Sequence, residues 1–170
     1  MWRFDRFGDA PALLDEHGQS LTYAQLAREG EALCGAIGGR CLCFGLCGNT
    51  IGSAVGYAGM VEGGVVPALL AASIDRELFA ALYEAYHPAY LWAPGGFEWE
   101  ACESVYERFG YRLLKTPFGT ETKLHDDLAL LLTTSGSTGS PKFVRQSYAN
   151  IRANTESIVE YLALTAQERP

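Results

Sequence analysis

The sequence predicts an α/β protein with a largely parallel sheet and helices on both faces. Three observations carry that prediction. Strand-like apolar runs alternate with helical patterns from Cys41 to Leu132, the order produced by strands joined through crossover helices. Two of the runs, Cys41 to Cys47 and Leu128 to Leu132, are apolar without alternation, as in strands covered on both sides. Glycine and proline punctuate the pattern at Gly38-Gly39, Gly63-Gly64 and Pro94-Gly95-Gly96. Crossovers of the usual right hand then place helices on both faces.

Taken in order, Ala12 to Asp15 reads as a strand, His17-Gly18 as a turn and Ser20 to Leu21 as a short return strand. Thr22 is the expected N-cap of the first helix, with Leu26, Leu33, Ala36 and Ile37 on its apolar face. After the Cys41 to Cys47 strand, Thr50 begins a Gly/Ala-rich helix over Ile51 to Glu62. Its small residues lower helix propensity and permit a close approach to the sheet. Val65 to Leu70 is the next strand, and Pro67 within it predicts an edge, a bulge or a strand end.

Asp75 to Tyr86 follows as a helix with Leu78, Phe79, Leu82 and Tyr86 inward. Tyr90 to Ala93 is then a strand, Phe97 to Phe109 a helix, Tyr111 to Lys115 a strand and Thr116 to Asp126 a polar connection. Beyond the Leu128 to Leu132 strand, Phe143-Val144 starts a second short strand. Tyr148 to Leu164 reads as an amphipathic helix with Ile151, Thr155, Ile158, Val159 and Leu162 inward.

The segment between those last two strands is made of Thr133, Thr134, Ser135, Gly136, Ser137, Thr138, Gly139 and Ser140, closed by Pro141 and Lys142. Such a loop can converge backbone N–H groups and hydroxyls on one anion, and the lysine adds a point charge suited to phosphate. Ligands of open α/β sheets sit at the carboxyl ends of the strands, where this loop begins. It differs from a Walker A loop, which needs Lys-Ser/Thr directly before a helix; here Ser140-Pro141-Lys142 leads into Phe143-Val144.

Composition narrows the function classes. The 170 residues suffice for one domain with a true core, and 48% of them are hydrophobic. A net charge of −7 argues against nucleic acid as a partner. No apolar run nears the roughly 18 residues of a membrane span, and the first ten residues lack a signal segment, so a cytoplasmic location is expected. Cys34, Cys41, Cys43, Cys47 and Cys102 lack paired zinc spacing and fit core packing in a reducing compartment, so no metal site is expected of them. His17, His87 and His125 read as surface residues, Asp126-Asp127 as solvated charges, and Trp92 and Trp99 as core or subunit contacts.

TTSGSTGSPK resembles the Ser/Thr/Gly-rich phosphate loop of the adenylate-forming superfamily, which includes acyl-CoA synthetases, adenylation domains and luciferases. The core TSGSTG-x-PK, Thr134 to Lys142, matches at every fixed position. GYAGMVEGGVVPALL and LTYAQL are similar to upstream segments of that family. The resemblance covers nearly all of this chain but only the first part of a family enzyme. It implies a single N-terminal α/β subdomain over 1–170, a fragment of a larger ligase. The later adenine, ribose and catalytic-lysine segments have no counterpart here, so no complete catalytic set is expected.

The implied reaction joins ATP and a carboxylic acid as an acyl-adenylate, with magnesium on the phosphates. A thiol such as coenzyme A or a carrier phosphopantetheine then takes the acyl group. The implied phosphate-binding residues are Thr134, Ser135, Gly136, Ser137, Thr138, Gly139 and Lys142. Two positions depart from the family pattern: Phe143 stands where glycine is common, and Tyr148 where histidine is frequent. Asn150 and Asn154 continue it. The alternative is a stand-alone, non-catalytic module for a phosphate-bearing ligand or a partner protein. Apolar surface exposed in a fragment would favour a homo-oligomer.

Overall fold

Four parallel strands form the middle of a seven-stranded sheet. A computed structural model describes residues 4–120, 122–133, 142–165 and 168. After a short 3-10 turn at Phe4–Phe7, a two-stranded antiparallel ribbon joins β1 (Pro11–Leu14) and β2 (Ser20–Thr22). The Asp15 carboxylate closes its turn by accepting from the amides of His17 at 2.9 Å and Gln19 at 2.8 Å. Helix α1 (Tyr23–Ile37) starts with a capping box. The Thr22 hydroxyl accepts from the Gln25 amide, and the Gln25 side chain accepts from the Thr22 amide at 2.7 Å. It ends at Gly38 in the left-handed conformation, φ 84°.

The main sheet is built from β3 (Leu42–Cys47), β4 (Val66–Ala71), β5 (Tyr90–Pro94), β6 (Glu103–Arg108), β7 (Tyr111–Lys115), β8 (Leu128–Thr133) and β9 (Phe143–Ser147). Their order is β6-β7-β5-β3-β4-β8-β9. Strands β5, β3, β4 and β8 run parallel; β7 and β9 pair antiparallel to them on either side, and β6 pairs antiparallel to β7 at the outer edge. Between the strands lie α2 (Ile51–Glu62), capped by Thr50, and α3 (Arg76–Tyr86), capped by Asp75; α4 (Tyr148–Tyr161) follows β9.

The two faces of the sheet bury separate clusters. On one, Leu42, Phe44, Leu46, Leu70 and Leu91 pack with Phe79, Leu82 and Tyr83 of α3. On the other, Cys41, Cys43, Trp92 and Leu113 pack with Leu33, Ile37 and Met60 of α1 and α2. Helices α1 and α2 touch through their backbones: a Cβ added at Gly30 would stand 2.8 Å from Gly59 Cα, and one at Gly59 2.6 Å from Gly30 Cα. The small residues of α2 thus serve helix–helix contact as well as its approach to the sheet. Trp92 Nε1 donates to Gly52 O at 2.9 Å and pins α2 to β5.

Several expectations are corrected. No helix spans Phe97 to Phe109. Phe97 and Trp99 lie in an irregular segment packed edge-on against Phe79, at 5.3 and 4.5 Å between ring centres. Glu103–Arg108 of that stretch is β6, which forms a hairpin with β7. Phe109 at φ 51° and Gly110 at φ 71° make the two-residue turn.

Pro67 lies in an interior strand. The Val66 amide donates to Cys41 O at 3.0 Å, so the proline nitrogen turns to the β8 side, where pairing starts only at Ala68. Leu78 is exposed on α3. Leu132 is 38% exposed, so β8 is covered on both faces only through Ala129 to Leu131. Helix α4 buries none of its residues; Ile151 is half-buried, and Thr155, Ile158, Val159 and Leu162 are exposed. Among the described residues no helix is long and apolar enough to cross a membrane.

Candidate functional site

Strands β3, β4 and β8 run in one direction, so Cys47, Ala71 and Thr133 all end at the carboxyl edge of the sheet. Strand β9 returns antiparallel from that edge, with Thr133 paired to Phe143. Of the residues predicted to bind phosphate, Thr134, Ser135, Gly136, Ser137, Thr138 and Gly139 lie outside the described residues. Lys142 is described: it directly precedes β9 and its side chain is exposed.

Both flanks of the segment are anchored. On the β8 side, Ala68↔Leu131 and Leu69↔Leu132 pair the strand to β4. On the β9 side, the Phe143 amide donates to the Tyr86 hydroxyl at 3.4 Å. Its ring packs edge-on against Tyr86 at 4.7 Å and Phe44 at 5.8 Å. A ring at position 143, where the resemblance implies glycine, thus ties the start of β9 to the core.

Tyr148 and Asn150 have structural duties. The Tyr148 hydroxyl donates to Val61 O of α2 at 3.4 Å, and its amide to Asp127 O at 3.2 Å. Asn150 completes a capping box with Ser147: the Ser147 hydroxyl accepts from the Asn150 amide at 3.1 Å, and Asn150 Oδ1 accepts from the Ser147 amide at 3.1 Å.

The same edge carries a concavity of about 500 Å³ at the start of α2, lined among others by Asp15, Glu16, Asn49, Thr50, Ser53 and Tyr57. It is poorly suited to an anion. Two carboxylates border it, and the Thr50 hydroxyl already accepts from the Ser53 amide at 3.2 Å. Of the five cysteines, Cys34, Cys47 and Cys102 are half-buried. Cys41 and Cys43 are buried in the core beside Trp92, and burial holds the Cys34 and Cys41 thiols up at about 11. His17 and His125 are exposed, while His87 ends α3 in the left-handed conformation with its ring against Phe118.

No family model and no curated protein matches the sequence, but solved structures do. o-Succinylbenzoate coenzyme A synthetase from Bacillus subtilis, in complex with AMP, superposes with a TM-score of 0.73 at 22% identity, over 98% of this chain and 46% of that one. A malonyl-CoA ligase, in a ternary product complex with methylmalonyl-CoA and AMP, gives 0.70 at 27% identity over 94% and 34%. The fold is that of the N-terminal part of the adenylate-forming enzymes. A fatty acyl-adenylate ligase from L. pneumophila, with acyl adenylate and pyrophosphate, shares this adenylate-forming fold at a TM-score of 0.66 and 18% identity, over 91% and 30%. The chain therefore spans less than half the length of each of these structures.

Proposed function

We propose that this chain is the N-terminal part of an ATP-dependent, AMP-forming carboxylate ligase. In this reading residues 134–142 hold the pyrophosphate side of the nucleotide. The observation that carries it is the junction of two independent facts. The fold is the adenylate-forming one, and the TSGSTG-x-PK segment begins at the carboxyl end of β8, the edge where such sheets take ligands.

The chemistry follows from the residue types. Thr134, Ser135, Ser137 and Thr138 donate hydroxyls and amides to the β- and γ-phosphate oxygens, and Gly136 and Gly139 permit close backbone approach. Lys142, exposed beside the segment, adds positive charge. Holding those oxygens aligns the α-phosphorus for attack by a substrate carboxylate and stabilises charge on the departing pyrophosphate. The thiol acceptor of the second step is coenzyme A or a carrier phosphopantetheine.

Magnesium would arrive with the nucleotide. Among the described residues no three His, Cys, Asp or Glu side chains gather into a cluster that could hold a metal. The acyl, adenine and ribose contacts are assigned to polypeptide other than this chain, which alone forms no acyl-adenylate.

Equilibrium titration with ATP tests the reading. Weak, salt-sensitive binding is expected, reduced about tenfold by Lys142→Ala through loss of a charge-assisted contact. Tight binding indifferent to Lys142→Ala would overturn the site, and carboxylate-dependent ATP–pyrophosphate exchange by this chain alone would overturn its incompleteness.

A further inference from the structure

Strand β8, which precedes residues 134–142, lies far across the sheet from the strand before it in sequence. β7 ends at Lys115, paired with Tyr90, at the amino edge of the parallel strands. β8 lies on the far side of β5, β3 and β4. Residues 116–127 must therefore run along that amino edge for four strand spacings, about 19 Å. They contain no helix or strand among the described residues.

The strap is fastened at both ends. At its start, the buried Thr116 hydroxyl donates to Pro88 O at 2.6 Å, and the Thr116 amide to Ala89 O at 3.0 Å. At its end stands Arg40, between α1 and β3. One terminal nitrogen donates to Gly64 O at 2.7 Å, just ahead of β4. The other donates to His125 O at 2.7 Å, Asp126 O at 3.3 Å and Leu128 O at 2.7 Å. Its Nε is buried without a partner.

One guanidinium thus collects four main-chain carbonyls from segments 24 to 88 residues away. Only a planar, forked, permanently charged group can span such a set. Its place is the amino end of β8, which pairs with β9 through Leu128↔Ser147 but has no ladder pair on its β4 side. The β4–β8 ladder pairs only Ala68↔Leu131 and Leu69↔Leu132, the middle of β4 with the carboxyl half of β8. A one-residue slip of β8 would turn its side chains to the opposite face.

We propose that Arg40 is a positioning residue that fixes the register of β8 from its amino end, and so decides which residue stands at the carboxyl edge where 134–142 begin. This goes beyond the reading of the loop as a phosphate site and does not depend on it. Arg40 touches no ligand; it acts through β8.

Hydrogen exchange on the 170-residue chain tests this with Arg40→Ala and Arg40→Lys. The Ala variant is expected to exchange about tenfold or more faster in 122–133 and 143–147, as losing one charge-assisted hydrogen bond would give. Exchange in β3 and α2 should stay unchanged. The Lys variant, with a point charge in place of the fork, should show the same local pattern to a lesser degree. Free guanidinium at about 10 mM, far below the molar concentrations that denature, should restore protection to the Ala variant and leave the wild type unaffected.

Uniform acceleration across the sheet would overturn the proposal in favour of general stabilisation. Wild-type exchange in both variants would overturn it outright. Should the Ala variant fail to fold, the Lys variant decides: local loss in 122–133 supports the proposal, and wild-type protection there sinks it.

Discussion

Gly59 has no room for a methyl group. The atom a Cβ would meet is the Gly30 Cα at 2.6 Å, part of a helix backbone that cannot swing aside. Gly59→Ala is therefore expected to destabilise the chain by about 1–3 kcal/mol through overpacking, read as a lower denaturant midpoint at unchanged slope. A neutral result would mean that α1 and α2 separate at little cost.

Cys34 and Cys41 carry a second residue-scale consequence. Burial raises both thiols from 9.0 to about 11, with Cys34 adding to the shift at Cys41. A thiol raised on folding contributes stability that is full below its unfolded pKa and is lost as pH climbs through the folded one. Stability should then decline between about pH 9 and 11. Replacing both cysteines with alanine should lessen that decline in denaturation curves, the buried Cys43 thiol, also pushed up, keeping part of it; an equal slope in the double variant would assign it elsewhere.

At the scale of elements, helix α1 rests on the reciprocal Thr22–Gln25 cap. Thr22→Ala should cost about 1 kcal/mol and raise amide exchange chiefly in the first turn of α1. A loss spread evenly over the helix would show that the cap is not what holds that end. This start was legible because a capping residue is a local signal, as was Thr50 before α2; Asp75, read as the first residue of α3, is its cap. Periodicity failed where tertiary pairing decided the outcome. The β6 strand is mostly exposed and shows no apolar alternation. It is a strand because β7 lies beside it and Phe109-Gly110 makes the turn.

Helix α4 forms where its periodicity predicts it, but the burial expected of its apolar face does not follow. Ile151, Ile158 and Leu162 do fall on one face, but Ile151 is half-buried and Ile158 and Leu162 are exposed among the described residues. The Arg40 cluster was illegible in principle. A Gly-Gly-Arg sequence before a strand does not disclose acceptors up to 88 residues away.

At the scale of the whole molecule, the parallel centre of the sheet was readable from buried strands and small-residue helices. The antiparallel edges were not, because strand direction depends on pairing between distant segments. The candidate site was legible as chemistry: nine positions of Ser, Thr, Gly, Pro and Lys from Thr134 to Lys142. What the structure adds is its frame. Thr133 and Phe143 are paired at the carboxyl edge, with Phe143 held by Tyr86 and Phe44.

The most direct test of the central claim is a residue-resolved NMR titration of the chain with pyrophosphate. The account predicts amide shifts concentrated in residues 133–143, weakened by Lys142→Ala and by added salt. Shifts centred instead on Asn49 to Ser53 at the start of α2, or none at millimolar pyrophosphate, would contradict it.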